Sequence, residues 1–263
     1  MGSKTRVLSI RRAACVFWLS TAILSTACAQ GGATLHDTTD VEGWLTFKLN
    51  IKLADALQLD LVEQARWMEN LAVFERQFHQ AAFSWSPEWN DFSDAQHLAV
   101  GARHTTELDN SGGKQGFERF LRLFAHYGGK AKLSHWELAW RLGYQRTQAL
   151  FLAGGDDPLL EPIKVKWRYR LTVAYDFENW DADPELSYEY FPDAEAGFFP
   201  AELPILAEPR HRWRLATDLK IDKRNHIKCF LQRHAGPELF PGALRTEVRW
   251  ALGLTYAHRS KRK

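Results

Sequence analysis

Ile163-Lys-Val-Lys-Trp-Arg-Tyr-Arg-Leu-Thr-Val-Ala-Tyr-Asp-Phe177 is the stretch on which the reading of this chain turns. Its odd positions, Ile163, Val165, Trp167, Tyr169, Leu171, Val173, Tyr175 and Phe177, are all apolar or aromatic. Its even positions carry Lys164, Lys166, Arg168, Arg170, Thr172, Ala174 and Asp176. Strand side chains point alternately to the two faces of a sheet, so one face is apolar over the whole length and the other is ionic. A globular strand has about 5–6 residues, and about 9–11 cross a bilayer when tilted. Length, aromatic content and an ionic back together predict a strand of a membrane β-barrel, with lipid outside and a polar lumen inside.

The same period-2 pattern, the primary strand signal, recurs on both sides of this stretch. Leu45, Phe47, Leu49, Ile51 and Leu53 alternate with Thr46, Lys48, Asn50 and Lys52. After a tight Ala54-Asp55-Ala56 turn, Leu57, Leu59, Leu61, Ala65 and Trp67 alternate with Gln58, Asp60, Gln64 and Arg66, which predicts a hairpin. Strands are expected at 73–86, 95–108 and 117–127, the last joined by Gly128-Gly129 to one in which Trp136, Leu138, Trp140, Leu142 and Tyr144 oppose His135, Glu137, Arg141 and Gln145. Further candidates lie at 184–191, 209–222, 225–234 and 243–257.

Between the later candidates, longer gaps (147–162, 191–208, 235–242) alternate with short ones (128–131, 178–183, 222–225). Outer-membrane barrels pair short periplasmic turns with longer external loops. Eleven candidates do not fit the even strand number expected of such a barrel. The sequence therefore predicts about 12 strands, with residues 31–42 supplying one more, or 10 if a weak candidate is a loop. The expected fold is all-β: an up-and-down antiparallel transmembrane β-barrel preceded by a cleavable signal peptide.

Lys4, Arg6, Arg11 and Arg12 precede an apolar run from Ala13 to about Ala27, and Ala27-Cys28-Ala29 offers a small-x-small cleavage site. That is the layout of a secretory signal peptide. A signal anchor and a lipoprotein acylated on Cys28 are the alternatives; the run is short of the ~20 apolar residues of a membrane helix, and Ser25 stands where a lipoprotein carries an aliphatic residue. The expected organisation is a signal peptide over 1–29, a lead-in over 30–42, a barrel over 43–258 and a basic tail over 259–263.

Without the leader's four basic residues, the 34 Lys and Arg fall to 30 against 32 acids, a net charge of −2. The basic balance of the whole chain thus belongs to the leader, and nucleic acid is not an expected partner. Cys229 alone follows the leader, so no intrachain disulfide or paired-cysteine metal site is expected. Mean hydropathy is −0.38, which is compatible with a barrel because half of each strand is polar.

Arg141-Leu-Gly-Tyr-Gln145, Trp167-Arg-Tyr-Arg-Leu171, Pro184-Glu-Leu-Ser-Tyr-Glu189-Tyr-Phe191 and Arg210-His-Arg-Trp-Arg214 occur in that order. With the Trp44 strand and its hairpin, this resembles a bacterial family of small outer-membrane barrels, domain of unknown function 2490, over residues 40–257. The resemblance implies location in the outer membrane of a Gram-negative bacterium and a barrel architecture. The family brings no established activity. Many outer-membrane barrels end on an aromatic residue, whereas Tyr256 here is followed by Ala-His-Arg-Ser-Lys-Arg-Lys263.

Two groups of residues are candidates for a role. Trp44, Trp136, Trp140, Trp167, Tyr175, Trp213, Trp250 and Tyr256 fall near strand ends, and Trp and Tyr favour the headgroup zone of a bilayer. They are expected to form aromatic belts; a ligand-stacking platform is the alternative. Glu137, Arg141, Gln145, Arg168, Arg170, Glu189, Arg212, Glu247 and Arg249, with Lys166, Arg210, Arg214 and Asp218, are expected to face the lumen. Buried charges must pair or stay wet, and arginine forks suit bridging between carboxylates. A bracing lattice, a solute pathway favouring anions, and a catalytic cluster are the three readings.

No His-Glu-x-x-His, glycine-centred nucleophile motif or phosphate loop occurs. Gly112-Gly113-Lys114 and Gly154-Gly155-Asp156-Asp157 read as turns or loops. The expectation is a monomer with no metal or cofactor, contacting outer-membrane lipid and lipopolysaccharide and, during biogenesis, the barrel-assembly machinery. An outer-membrane enzyme acting on lipid or lipopolysaccharide and a soluble periplasmic β-sandwich or ligand carrier are the alternatives.

Overall fold

The computed structural model describes residues 40–68, 70–87, 95–109, 116–152, 157–159, 161, 163–177, 182–192, 210–240 and 243–260. The expected signal peptide, Cys28, most of the lead-in, the 112–114 turn and the last three residues of the tail lie outside the described residues. Eleven strands follow one another: β1 Asp40–Lys52, β2 Leu57–Met68, β3 Val73–Trp85, β4 Ala95–Asp109, β5 Gly116–Leu133, β6 Trp136–Phe151, β7 Lys164–Tyr175, β8 Ala182–Phe191, β9 Arg210–Lys220, β10 Asn225–Phe240 and β11 Ala243–Ser260. Each pairs with the next in sequence, and β1 pairs with β11, closing an up-and-down barrel.

The expectation of 12 or 10 strands is corrected to eleven. An even number is required only if every neighbouring pair is antiparallel. Here β1 and β11 run parallel, in register from Asp40↔Arg249 to Ile51↔Ser260. The other ten pairings are antiparallel. Residues 40–42 belong to β1 and residues 259–260 to β11, so the barrel extends past the 43–258 limits expected for it.

One rim carries the links 53–56, 86–94, 134–135, 176–181 and 221–224 and the end of β11; we call it the hairpin rim. The opposite loop rim carries the start of β1 and the links 69–72, 110–115, 152–163, 192–209 and 241–242. The expected long gap at 235–242 is mostly strand, because β10 continues to Phe240 in register with β11.

Gly128-Gly129 is not a turn either. Both glycines lie within β5, paired with Arg141 and Trp140. A Cβ on Gly128 would lie 2.5 Å from the Trp140 carbonyl oxygen, and one on Gly129 2.9 Å from Trp140 Nε1. Gly129 thus makes room for the Trp140 ring, and Gly128 for the Trp140 carbonyl and the His97 ring. The chain reverses instead at Ser134-His135, where Ser134 takes φ 56°. A second irregularity places charge: at the bulge between Arg66 and Trp67 of β2, Arg66 pairs with Arg76 and Trp67 with Phe74. Glu75 is the extra residue and turns inward beside Arg76.

Candidate functional site

The two faces of the wall have opposite chemistry. On β7, Trp167, Tyr169 and Leu171 are exposed on the outer face, whereas Lys166, Arg168 and Arg170 turn inward. The outer face continues with Leu45, Phe47 and Leu49 on β1, Phe83 on β3, Val100 on β4, Leu123 on β5, Leu138 and Trp140 on β6, Leu186 on β8, Leu215 on β9 and Leu254 on β11, all exposed.

Aromatic pairs mark both edges of this apolar band. Toward the hairpin rim, Trp136 packs on Tyr175 with centroids 4.7 Å apart, and Tyr127 on Trp140 at 5.1 Å. Toward the loop rim, Tyr144 packs on Trp167 at 5.1 Å and Tyr188 on Trp213 at 4.6 Å. Trp250 shares the outer face with Leu254 by strand parity. Its cross-strand partner Arg233 also pairs with Trp213, so an exposed arginine sits between two tryptophans on the outer wall. Tyr256 faces outward, with its hydroxyl donating to Asn225 Oδ1 at 2.7 Å.

Trp44 does not belong to either edge, and its expected place in the belt is corrected. Its ring is 6% exposed and lies inside the barrel, on the same side of β1 as Thr46 and Asn50. Trp44 Nε1 donates to Glu42 Oε2 at 2.9 Å. The Arg66 guanidinium stacks on the Trp44 ring at 3.8 Å, the Arg103 guanidinium on Phe78 at 3.8 Å, and that of Arg214 on Phe230 at 3.8 Å. Trp44 meets Phe230 edge-on at 5.6 Å. Six side chains from six strands thus fill part of the lumen with alternating rings and guanidiniums, a contact worth about 0.5–2 kcal/mol per cation–ring pair. Gly253 makes room for this stack: a Cβ there would lie 1.9 Å from Phe230 Cζ.

Beside the stack, β6 to β9 build a cage around one carboxylate. Glu189 is 2% exposed. Arg168 donates to its Oε1 through Nε at 3.1 Å and Nη2 at 2.7 Å. Arg170 Nη2 donates to Oε2 at 3.2 Å and Arg212 Nη1 at 3.1 Å, while Arg141 Nη2 lies 3.5 Å from Oε1. Register explains the convergence: Arg141 faces Arg170 across β6–β7, Arg170 faces Glu189 across β7–β8, and Glu189 faces Arg212 across β8–β9.

Of the candidate lumen residues, Arg141, Arg168, Arg170, Glu189 and Arg212 are brought together by this cage, and Gln145 is buried at 5% exposure on the same side of β6. Glu137 stands apart near the hairpin rim, paired with Lys130 at 2.7 Å. Arg249 lies 3.8 Å from Glu42 at the β1–β11 pairing. The side chains of Glu247 and Arg210 lie outside the described residues. Asp218 lies 3.5 Å from His226, and Arg214 donates to Gln232 Oε1 at 3.0 Å.

The sequence reading missed Arg66, Arg103 and Arg122 as lumen residues, together with Phe78, Phe124 and Phe230. It also missed the acidic group toward the loop rim, where Arg76 is held by Glu75 and, at 2.8 Å, by Glu107. Among the described residues, no group of three or more His, Cys, Asp or Glu side chains is placed to hold a metal ion. The arrangement offers a dense field of N–H donors and cations, chemistry suited to holding oxyanions. Comparison of the chain with protein-family models and with curated proteins returns no match.

Proposed function

We propose that this chain is a monomeric outer-membrane β-barrel of a Gram-negative bacterium, with a narrow charged lumen braced by arginine–carboxylate contacts and passing only small solutes. The proposal includes membership of the family of domain 2490, carried by the motif segments at 141–145, 167–171, 184–191 and 210–214, and residence among outer-membrane lipid and lipopolysaccharide.

One observation carries the reading: polarity is largely inverted, with most apolar side chains outside and most ionic ones enclosed. Arg233 and the exposed Glu63–His79 pair beside Phe47 are outward exceptions. A soluble monomer rarely exposes an apolar patch beyond about 300–600 Å². Here exposed Leu, Val, Phe, Trp and Tyr run around the wall. The aromatic edges support it in dimension. From Trp136 to Tyr144 the strand advances eight residues, about 27 Å along its axis. At a tilt of about 40° that is about 20 Å of height, close to the ~25 Å apolar band of outer-membrane barrels. Arg233 between Trp213 and Trp250 fits the same frame, since a long basic side chain near the band's edge reaches to the headgroups.

The lumen supports the second half of the proposal. The ring–guanidinium stack and the Glu189 cage occupy the middle of the barrel with side chains fixed by neighbours on several strands. Such an interior resists compression from the membrane and supports a narrow lumen over an open one.

Envelope fractionation and gel migration test the location. The expected result is recovery in the outer-membrane fraction, with a band that runs faster unheated than boiled. Recovery as a soluble periplasmic species with no heat-modifiable band would overturn the proposal. For the solute half, single-channel recording in planar bilayers should give small, anion-favouring currents; silence at every voltage would leave a purely structural barrel.

A further inference from the structure

The charges of the mid-lumen do not balance. Four guanidiniums converge on Glu189. Two more on the adjacent strands meet neutral oxygens: Arg103 donates to Gln80 Oε1 at 2.6 and 3.0 Å, and Arg122 Nε donates to Thr147 Oγ1 at 3.0 Å. Arg103 pairs directly with Arg122 across β4–β5, and Arg141 pairs with Arg170, two residues from Arg168, across β6–β7. Arg103, Arg122, Arg141 and Arg168 occupy β4, β5, β6 and β7 in succession and all turn inward, so they line one side of the lumen. A guanidinium carries five N–H donors, and the contacts above leave several on Arg103, Arg122 and Arg141 without use among the described residues. Arg170 Nε is buried with no hydrogen-bond partner among the described residues.

Like charges gathered in a partly dehydrated space repel strongly. Other inward carboxylates among the described residues are engaged elsewhere: Glu75 and Glu107 hold Arg76, Glu42 lies by Arg249, and Glu185 holds Lys228 at 2.6 Å. Glu137 holds Lys130, Asp183 holds Lys220, Asp218 lies by His226, and Asp60 accepts from Asn50, Gln58 and Ser84. What would neutralise the patch is a compact solute with at least two negative charges and three or more acceptor oxygens arranged in space. A lone carboxylate supplies one charge in one plane. A tetrahedral dianion supplies acceptors toward four walls at once, and guanidinium forks match its oxygens.

We propose that the lumen is a binding site for a small phosphate-class dianion, inorganic phosphate or a phosphate monoester, held by Arg103, Arg122, Arg141 and Arg168, with Glu189 as the built-in competitor. This deepens the solute reading above and rests on it. Glu189 sets the affinity: its carboxylate keeps part of the cationic field occupied, so the solute is held loosely enough to leave.

The test uses the full chain folded in detergent, with inorganic phosphate as the probe and chloride at matched ionic strength as the reference. Phosphate is expected to raise the unfolding midpoint above the chloride value. Arg103→Gln with Arg122→Gln should weaken the apparent affinity at least about tenfold, and Glu189→Gln should strengthen it by a similar factor. Should Glu189→Gln not fold, the arginine double variant decides alone. Equal protection by phosphate and chloride overturns the proposal, as does an unchanged phosphate response in the double variant. Dihexanoyl phosphatidate is the lipid arm: protection by it and not by free phosphate would place the anion on the outer wall and overturn the lumen assignment. A chain that is heat-modifiable yet insensitive to phosphate sinks this inference alone; a chain with no heat-modifiable form sinks the membrane reading with it.

Discussion

Replacing Glu189 by glutamine removes one negative charge and leaves the shape of the cage almost unchanged. In the native protein that carboxylate is 2% exposed and accepts from Arg168 at 2.7 Å, Arg170 at 3.2 Å and Arg212 at 3.1 Å, with Arg141 at 3.5 Å. At an effective dielectric of about 20, one such contact is worth about 5 kcal/mol before desolvation. Breaking a buried pair by removing one partner costs about 3–5 kcal/mol. Four cations lose their common partner here, so the loss should fall at the upper end, about 4–5 kcal/mol. With a urea slope of about 2 kcal/mol/M, the unfolding midpoint drops by about 2 M. Tryptophan emission and the heat-modifiable gel band both report it. Glu137→Gln is the control, because the Lys130–Glu137 pair is 50% and 38% exposed and pairs of that kind contribute less than about 1 kcal/mol. Adding Arg170→Gln to Glu189→Gln should recover part of the loss by lowering the repulsion. A Glu189→Gln protein within about 1 kcal/mol of wild type would refute the claim that this carboxylate braces the lumen.

Gly253→Ala drives a methyl into the Phe230 ring, which Trp44 and Arg214 hold in place, and should cost about 1–3 kcal/mol; Phe230→Leu in the same chain should restore much of it, measured by urea titration. Gly143→Ala, whose Cβ would meet His126 at 3.1 Å, should cost less. Arg66→Lys loses the flat stack on Trp44 and should destabilise by about 1 kcal/mol, with a change in Trp44 emission. Cys229 pairs with Leu254 and so shares its outward side; a nitroxide there, in lipid vesicles, should be quenched by oxygen and protected from a water-soluble nickel chelate, and the reverse would argue against the membrane reading. In the 221–224 turn, Asn225 Nδ2 and then the Arg224 N–H donate to Asp222, which holds its carboxyl below the ordinary carboxylate range. A depressed folded value means the contribution is present above the unfolded value and lost as pH falls through the folded one. Amide exchange at Arg224 and Asn225 should therefore rise in that acidic window, and Asp222→Ala should abolish the dependence.

Where apolar and polar residues alternate without interruption, both faces of the wall were legible in the sequence. β7 is the clearest case, since Trp167, Tyr169 and Leu171 against Arg168 and Arg170 leave one solution for a strand. The mid-lumen was harder because it breaks that rule. Phe78, Phe124 and Phe230 are aromatic and face inward; on their own strands they read as noise. The signal lay across the strands instead, in Gly101 and Gly253, whose missing side chains admit Phe124 and Phe230. Trp44 was placed by residue type when parity with Thr46 and Asn50 already assigned it to the inside. Gly128-Gly129 was read as a reversal because glycine marks turns, while here it clears space for Trp140. The odd strand number was present as eleven candidates and was set aside for a rule that assumes antiparallel closure throughout.

The parallel meeting of β1 and β11 has a consequence for protein engineering. Because their directions agree, the polypeptide enters the cylinder at one mouth and leaves it at the other. On the outer-membrane placement proposed above, an epitope just ahead of Asp40 and one just after Ser260 would report from different compartments, and antibody staining of unbroken cells should detect one and not the other. Circular permutation, which needs neighbouring ends, would require a linker spanning the full height of the wall.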